Sequence, residues 1–216
     1  MNPTFAEATD GVFLTALSIL RDLRRNPATD PIQVHQQLCR SLDDAESRLS
    51  GQKLSQEWKL AKYALVSWLD EMLVADHDFL WDGREWWSNN VLEVQYFSSR
   101  MCSTLFFEKA REALESDFVN AFEVYYDCVL LGFQGMYRDR LLSEQIAPGL
   151  RLSPQLDTLV SDAHRRLKLT SLPLLVEGRR SPLVLARPQT SRLGLQWALT
   201  LACLLLVIHA ALFWIL

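Results

Sequence analysis

Residues 55–72 read SQEWKLAKYALVSWLDEM, and this stretch predicts an α-helix that is apolar over most of its surface. Its clearest stripe repeats at intervals of four, three and four residues, and consists of Ala61, Leu65, Trp68 and Met72. Apolar residues on both sides widen this stripe. A helix with so little polar surface is expected near the centre of its domain, where other helices cover it.

Two adjacent carboxylates, Asp70 and Glu71, stand near the end of this helix. Paired carboxylates can act as general acid and base, so an enzyme that uses them is one alternative function. Adjacent helix positions point about 100° apart, however, and do not converge on one substrate. We therefore expect one carboxylate to be buried with a polar partner and the other to lie in solvent.

The surrounding sequence predicts an all-α domain. No proline occurs between Pro31 and Pro148, which favours helices over a turn-rich β fold. Asp10 and Asp30 are the predicted N-caps of the first two helices, and Pro31 suits the first turn of the second. Later helices are predicted from Ser55, from Glu85, over residues 103–114, 118–133 and 137–145, and after Ser153, which gives about seven or eight in all.

Apolar stripes assign an inner face to the flanking helices. In the first helix the expected inner residues are Phe13, Leu17 and Leu20, with Leu14 nearby. In the second helix they are Leu38, Leu42, Ala45 and Leu49. In the last helix they are Leu156, Leu159, Val160, Ala163 and Leu167. Each of these helices is expected to pack on the rest of the domain through that face.

Residues 193–216 form an uncharged segment, LGLQWALTLACLLLVIHAALFWIL. About 20 apolar residues in a helix cross the ~30 Å hydrocarbon layer of a bilayer, so we predict a transmembrane helix here. It runs through Leu195 to Leu216, and Trp197 and Trp214 lie near its ends, where indole rings favour the membrane interface. The predicted architecture is a helical domain with a C-terminal membrane anchor.

Basic residues precede this segment, and none follows it. Residues 170–192 are interrupted by prolines and predict a linker. The arginines before the span are Arg179, Arg180, Arg187 and Arg192. The positive-inside rule then places residues 1–169 in the cytoplasm and the end of the chain on the other side of the membrane. We therefore expect a cytoplasmic domain over residues 1–169, a juxtamembrane linker over 170–192 and a tail anchor over 193–216.

Composition and motifs exclude several kinds of function. The chain has 22 basic and 26 acidic residues, a net charge of −4, whereas a nucleic-acid-binding protein needs a basic face. No phosphate-binding loop, dinucleotide-binding glycine motif, zinc-protease motif or nucleophile elbow occurs. We interpret Asp76-His77-Asp78 as a solvated acidic loop, because no second group of metal-type ligands accompanies it. No catalytic, cofactor-binding or metal-binding residue is predicted.

Aromatic residues are dense between Phe79 and Phe107. A platform for single-stranded nucleic acid would have basic residues interleaved with them, and the local acids argue against one, namely Asp78, Asp82, Glu85 and Glu93. Core packing is the main interpretation. A partner-binding surface built on Trp86 or Trp87 is the alternative.

Two stretches of the chain resemble the TssL/DotU (IcmH) family of type VI and type IVB secretion systems. They are residues 63–71, YALVSWLDE, and residues 125–138, YYDCVLLGFQGMYR. The resemblance covers about residues 13–167, and the residues that carry it are Tyr63, Asp70, Glu71, Trp86, Trp87, Phe106, Phe107, Gly132, Phe133, Gly135, Tyr137 and Arg138. Many family members have a Gly-Gly-Glu element before the phenylalanine pair, where this chain has RMCSTL at residues 100–105.

The resemblance implies an all-α fold of two packed three-helix sub-bundles and a non-enzymatic role. The chain would be an inner-membrane scaffold subunit that docks the cytoplasmic baseplate of a bacterial secretion system to the envelope. The implied partners are a TssM-like inner-membrane protein, a TssK-like baseplate protein, a second copy of the chain and the lipid bilayer. The motif residues are expected to be structural or partner-binding, and Arg138 is expected to pair with Asp70 or Glu71.

Two other functions stay open at this point. A tail-anchored helical regulator or adaptor of another kind would share the design of a helical domain and a C-terminal anchor. A membrane-tethered enzyme using Asp70 and Glu71 would need polar groups that converge in a concave pocket. Carboxylates packed against helix ends would argue against that enzyme.

Overall fold

The computed structural model describes residues 1–49, 54–75 and 81–167, and no strand occurs in these ranges. The helices are α1 Pro3–Arg25, α2 Pro31–Arg48, α3 Leu54–Val74, α4 Arg84–Asn89, α5 Leu92–Phe97, α6 Cys102–Glu115, α7 Val119–Leu130, α8 Arg140–Ile146 and α9 Leu156–Leu167. A short 3-10 helix, Gly135–Arg138, lies between α7 and α8. The all-α prediction is confirmed for the described part of the chain.

Helix α3 is the centre of the fold, as its apolar surface predicts. Every residue from Leu60 to Glu71 is buried. Helix α3 contacts α1, α2 and each of the four helices from α4 to α7. Helix α1 packs against α2 and α6 packs against α7, so α3 is shared by both pairs. The division into two three-helix sub-bundles stays a prediction.

The start of α1 differs from the prediction. The helix begins at Pro3 rather than after Asp10, because Asn2 is its N-cap and accepts a hydrogen bond from the backbone N–H of Thr4 at 2.9 Å. Asp10 is an exposed residue inside the helix. The buried face consists of Phe5, Ala8, Thr9, Val12, Phe13, Ala16, Ile19 and Leu23. Leu17, which was predicted to face inward, is exposed, and Leu20 is only half-buried.

Helix α2 begins where its sequence predicts. The Asp30 side chain accepts from the backbone N–H of Ile32 at 3.0 Å, and Pro31 occupies the first turn. The predicted inner residues are all buried, namely Leu38, Leu42, Ala45 and Leu49. An intact local pattern of cap, proline and apolar stripe was therefore sufficient here.

Two predicted helices are divided in the structure. The helix predicted from Glu85 consists of α4 and α5, which are separated at Asn90 and Val91. The helix predicted over residues 137–145 consists of the 3-10 helix and α8. Each additional helix start leaves backbone N–H groups that need an acceptor from elsewhere. At the start of α8 the Asp139 side chain supplies that acceptor, whereas at the start of α5 it comes from the buried carboxylate of Asp70.

Helix α9 packs less completely than its pattern predicts. Among the five expected inner residues only Val160 is buried. The other four are half-buried, namely Leu156, Leu159, Ala163 and Leu167. Leu159 and Ala163 line a groove between α9 and the helices α6 and α7.

Several predictions concern residues outside the described ranges. They include the Asp76–Asp78 loop, the linker over residues 170–192 and the span over residues 193–216. Among the helices of the described residues, none is both long enough and apolar enough to cross a membrane.

Candidate functional site: buried carboxylates at helix starts

Four buried carboxylates connect the central helices, and we call them the cap carboxylates: Glu57, Asp70, Glu71 and Glu93. Each accepts hydrogen bonds from two backbone N–H groups at the start of another helical segment. The residues at the N-cap positions of those segments supply no side-chain acceptor, and they are Val91, Met101, Phe118 and Gln134. The cap carboxylates therefore do from a distance what an N-cap side chain does locally.

Asp70 caps α5. Its Oδ1 accepts from the indole N–H of Trp87 and from the backbone N–H of Leu92, both at 2.9 Å, and its Oδ2 accepts from the backbone N–H of Glu93 at 2.8 Å. Burial raises the pKa of Asp70 to about 6, although these three hydrogen bonds act in the opposite direction. Asp70 thus fixes the position of α4 through Trp87 and that of α5 through its first N–H groups.

Glu71 holds the 3-10 helix against the end of α3. Its two carboxylate oxygens accept from the backbone N–H groups of Gln134 and Gly135, each at 2.8 Å. The Arg138 guanidinium donates to Glu71 Oε1 at 2.9 Å and to the backbone carbonyl of Ala75 at 2.9 Å. The predicted pairing of Arg138 with one of the two carboxylates is confirmed at Glu71.

The expectation that one of the two adjacent carboxylates lies in solvent is wrong. Asp70 is 4% exposed and Glu71 is 8% exposed. Both can be buried because the two side chains, which diverge around α3, meet different helix starts. Because other helices surround α3, two adjacent residues on it can contact two different neighbouring segments.

Glu93 extends the same arrangement to α6. Its Oε1 accepts from the hydroxyl of Tyr63 at 2.7 Å and from the backbone N–H of Met101 at 3.0 Å, and its Oε2 accepts from the N–H of Cys102 at 3.1 Å. Burial, together with the Glu93 carboxylate, raises the pKa of Tyr63 well above its ordinary value. The motif residue Tyr63 is thus a buried donor that orients a cap carboxylate.

Glu57 caps the start of α7. It accepts from the backbone N–H of Asn120 at 2.6 Å, from the Asn120 side-chain amide at 2.8 Å and from the backbone N–H of Ala121 at 3.1 Å. Neither Glu57 nor Glu93 was predicted from the sequence as a buried cap. One signal was present for Glu57, since it lies four residues before Ala61 and therefore continues the apolar stripe of α3.

The second motif stretch ends α7 and packs an aromatic cluster. Gly132 has φ +117°, and the backbone N–H of Phe133 bonds to the carbonyl of Cys128 at 3.0 Å, which is a Schellman end. The Phe133 ring stacks on Phe106 with centroids 3.9 Å apart. The edge contacts around this stack are Phe106 with Phe107, Phe106 with Tyr125, and Phe107 with Tyr137.

Gly135 permits a close approach between two segments. Its φ is +52°, and a Cβ at this position would lie 2.7 Å from the backbone carbonyl oxygen of Ser103 and 2.9 Å from the Phe133 ring. Only glycine fits this conformation and this space. The close approach places the 3-10 helix against α6.

The two tryptophans of the motif differ in their surroundings. Trp87 is fully buried and donates to Asp70, so it cannot anchor a partner at the surface. Trp86 is partly exposed, and its ring meets the His35 ring edge-on with centroids 5.5 Å apart. Trp86 is the one of the pair that a partner can reach.

The arrangement favours a structural role for the cap carboxylates. Each meets the start of a helix, and in Asp70 and Glu71 both oxygens already accept from backbone donors. Such packing against helix ends argues against the enzyme alternative. Within residues 1–49, 54–75 and 81–167, no group of three His, Cys, Asp or Glu side chains could hold a metal ion.

Comparison with known proteins agrees with this architecture. A sequence model of a family described as type VI secretion system protein DotU matches residues 8–216. The fold is similar to the cytoplasmic domain of TssL from Acinetobacter baumannii, with a TM-score of 0.59 and 24% sequence identity over 76% of this chain and 97% of that chain. The comparison with curated proteins gave no match. Since the family model covers almost the whole sequence, the chain belongs to the DotU family of type VI secretion system proteins.

Proposed function

We propose that the chain is a non-enzymatic scaffold subunit of a type VI secretion membrane complex. In this role a C-terminal helix anchors it in the bacterial inner membrane, and residues 1–169 form a cytoplasmic domain that docks the baseplate. Its partners would be a TssM-like inner-membrane protein, a TssK-like baseplate protein and a second copy of the chain. The observation that carries the proposal is the family match over residues 8–216.

Two features of the chain support this role. The buried motif residues hold helix starts together, as a rigid adaptor requires, and Asp70 and Glu71 already have their donors. The uncharged run over residues 193–216 is long enough to cross a bilayer, and four arginines precede it. The bulk of the chain is acidic, so charge would steer it towards partners with basic patches.

Affinity purification from native membranes tests the proposal. The full chain, carrying an affinity tag, is solubilised in detergent and purified, and mass spectrometry identifies the proteins that accompany it. We expect a large TssM-like membrane protein and baseplate components. The matched control is a chain that ends at residue 192, which should move to the soluble fraction and lose the membrane partner.

The outcomes separate the candidate functions. Recovery of the full chain alone, from the soluble fraction, would refute the scaffold and the anchor together. Recovery from the membrane with unrelated partners would favour a tail-anchored adaptor of another kind. The variant Trp86→Ala then tests whether the surface around this partly exposed tryptophan binds the baseplate. Loss of the baseplate components from the purified sample, with the fold intact, would identify that surface as the binding site.

A further inference from the structure

A groove of about 490 Å³ lies between α6, α7 and α9. All the residues that line it belong to the range 106–166, and its wall is mostly apolar. The wall includes four half-buried apolar side chains, namely Leu114 from α6, Phe122 from α7, and Leu159 and Ala163 from α9. Apolar clefts of this size, roughly 300–1,000 Å³, are typical of sites that bind small molecules.

Two arginines give the groove an unbalanced positive charge. The two acids that line it, Glu115 and Asp162, each pair with an arginine of their own helix at 3.5 Å. Arg151 and Arg166 also line the groove and are exposed, and no ion pair joins either of them to a described residue. An occupant with one anionic group is therefore the best electrostatic complement.

An arginine ends the apolar stripe of α9 that lines the groove. Leu159, Ala163 and Arg166 follow one another at intervals of four and three residues, so they lie on one face of α9. The distance along the helix from the first to the last of them is about 10 Å. Arg151 lies in the loop before α9, and Arg111 fixes that loop by donating to the backbone carbonyl of the preceding residue at 2.8 Å. The groove thus combines an apolar wall about 10 Å long with two cationic groups.

The size of the groove favours an alkyl chain over a peptide. A helical peptide is about 10 Å wide and occupies about 420 Å³ per turn, so the groove would hold little more than one turn. An extended peptide would bring backbone N–H and C=O groups, and the mostly apolar wall has few partners for them. An alkyl chain has no polar groups that need a partner.

We propose that the groove binds a single-chain anionic amphiphile, namely the carboxylate of a medium-chain fatty acid. The alkyl chain lies on the apolar wall, and the carboxylate accepts hydrogen bonds from the guanidinium groups of Arg151 and Arg166, whose planar fork matches carboxylate geometry. For a ligand of this size we expect a dissociation constant on the order of 100 µM. The proposal does not depend on the secretion role.

Photoaffinity labelling of the full chain tests the proposal. The chain is reconstituted in nanodiscs of phosphatidylcholine, which has no net charge, and is labelled with a decanoic acid that carries a diazirine at the end of its chain. Mass spectrometry identifies the labelled peptides, which we expect within residues 106–129 or 159–166. Unlabelled decanoate at about 1 mM, roughly ten times the expected dissociation constant, should reduce this labelling about tenfold.

Decanol and decyltrimethylammonium are the matched competitors, because they carry the same alkyl chain without a negative charge. Each should compete about two- to thirtyfold less well than decanoate, which is the range for two exposed ion pairs. Equal competition by either compound would overturn the proposal. Labelling confined to residues outside the groove would also overturn it.

Charge reversal tests the two assigned arginines. Arg151→Glu combined with Arg166→Glu should lower the labelling of the groove by at least about twofold. Both side chains are exposed, so the fold should persist, which circular dichroism checks. The control combines Arg25→Glu with Arg40→Glu, which changes the net charge equally at exposed positions of α1 and α2 and should leave the labelling unchanged. Equal labelling of the two double variants would refute the assignment.

A photoreactive residue on the groove wall tests for a protein occupant. p-Benzoylphenylalanine replaces Leu159 in the full chain, which is irradiated in its native membrane. We expect no second polypeptide to be cross-linked. A cross-linked dimer, or a cross-link to another protein, would show that the groove is a protein interface and would overturn the proposal.

Discussion

Replacing Glu71 by glutamine tests whether the cap carboxylates hold the domain together. Glu71 accepts two backbone N–H groups, of Gln134 and Gly135, and the guanidinium of Arg138. A glutamine side chain has the same shape but only one acceptor oxygen, and its amide N–H₂ would face donors. One N–H of this part-buried contact therefore loses its acceptor, and the bond to Arg138 loses its charge.

The expected loss follows from these contacts. An unsatisfied buried N–H costs about 1–3 kcal/mol. The Arg138 side chain is 37% exposed, so solvent screens its share of the interaction, and we add only about 0.5–1 kcal/mol for it. A total of about 1.5–4 kcal/mol in a domain of this size lowers the unfolding midpoint by roughly 3–16 °C.

Thermal unfolding of the full chain in detergent, followed by circular dichroism, measures this shift. Glu144→Gln is the matched control, because Glu144 pairs with Arg140 at 2.8 Å on the exposed face of α8. That pair is open to solvent, so its loss should leave the midpoint unchanged. If Glu71→Gln shifted the midpoint no more than Glu144→Gln, Glu71 would not be a structural cap.

Asp127→Asn should raise the unfolding midpoint at pH 8 and hardly change it at pH 4. Burial raises the pKa of Asp127 to about 7 in the folded chain. The unfolded chain loses this proton at lower pH, so the stability of the parent chain falls as the pH rises from about 4 to 7. Melting curves recorded across that pH range measure this fall. In urea titrations, Gly135→Ala should lower the free energy of unfolding by about 2–4 kcal/mol, because its φ is positive and a carbonyl oxygen blocks the Cβ. Gly11→Ala, with open space around the Cβ, should instead raise it by about 0.5–1 kcal/mol. Trp87→Ala should lower it by about 3–5 kcal/mol, and the partly exposed Trp86→Ala by less than half as much, in the same titrations.

Local patterns in the sequence predicted the elements that depend on local interactions. Asp30-Pro31 marked the start of α2 correctly, and the apolar surface of α3 predicted its central position. The start of α1 carries the same combination of cap and proline in Asn2-Pro3, but Asp10 was preferred as the N-cap. Both candidate N-caps, Asn2 and Asp10, were visible in the sequence, and the wrong one was chosen.

The cap carboxylates were predicted only in part, because capping at a distance leaves little trace in sequence. Asp70 and Glu71 were noticed for their charge on an apolar helix. Glu93 gave no comparable signal, since the N–H groups that donate to it lie at the start of α6, which is not marked by a capping side chain. The burial of both Asp70 and Glu71 depends on where α5 and the 3-10 helix begin, and only the tertiary structure supplies that information.

Capping at a distance also sets an order of events during synthesis. Glu57 leaves the ribosome 63 residues before Asn120, the same separation as between Glu71 and Gln134. At about 5–20 residues per second, each carboxylate waits roughly 3–13 s for its N–H groups. During that interval the charged side chains keep α3 from burying its apolar surface against the wrong neighbour, because an unpaired carboxylate is costly to dehydrate. We therefore expect the nascent domain to close around α3 only when α7 and the 3-10 helix have been made.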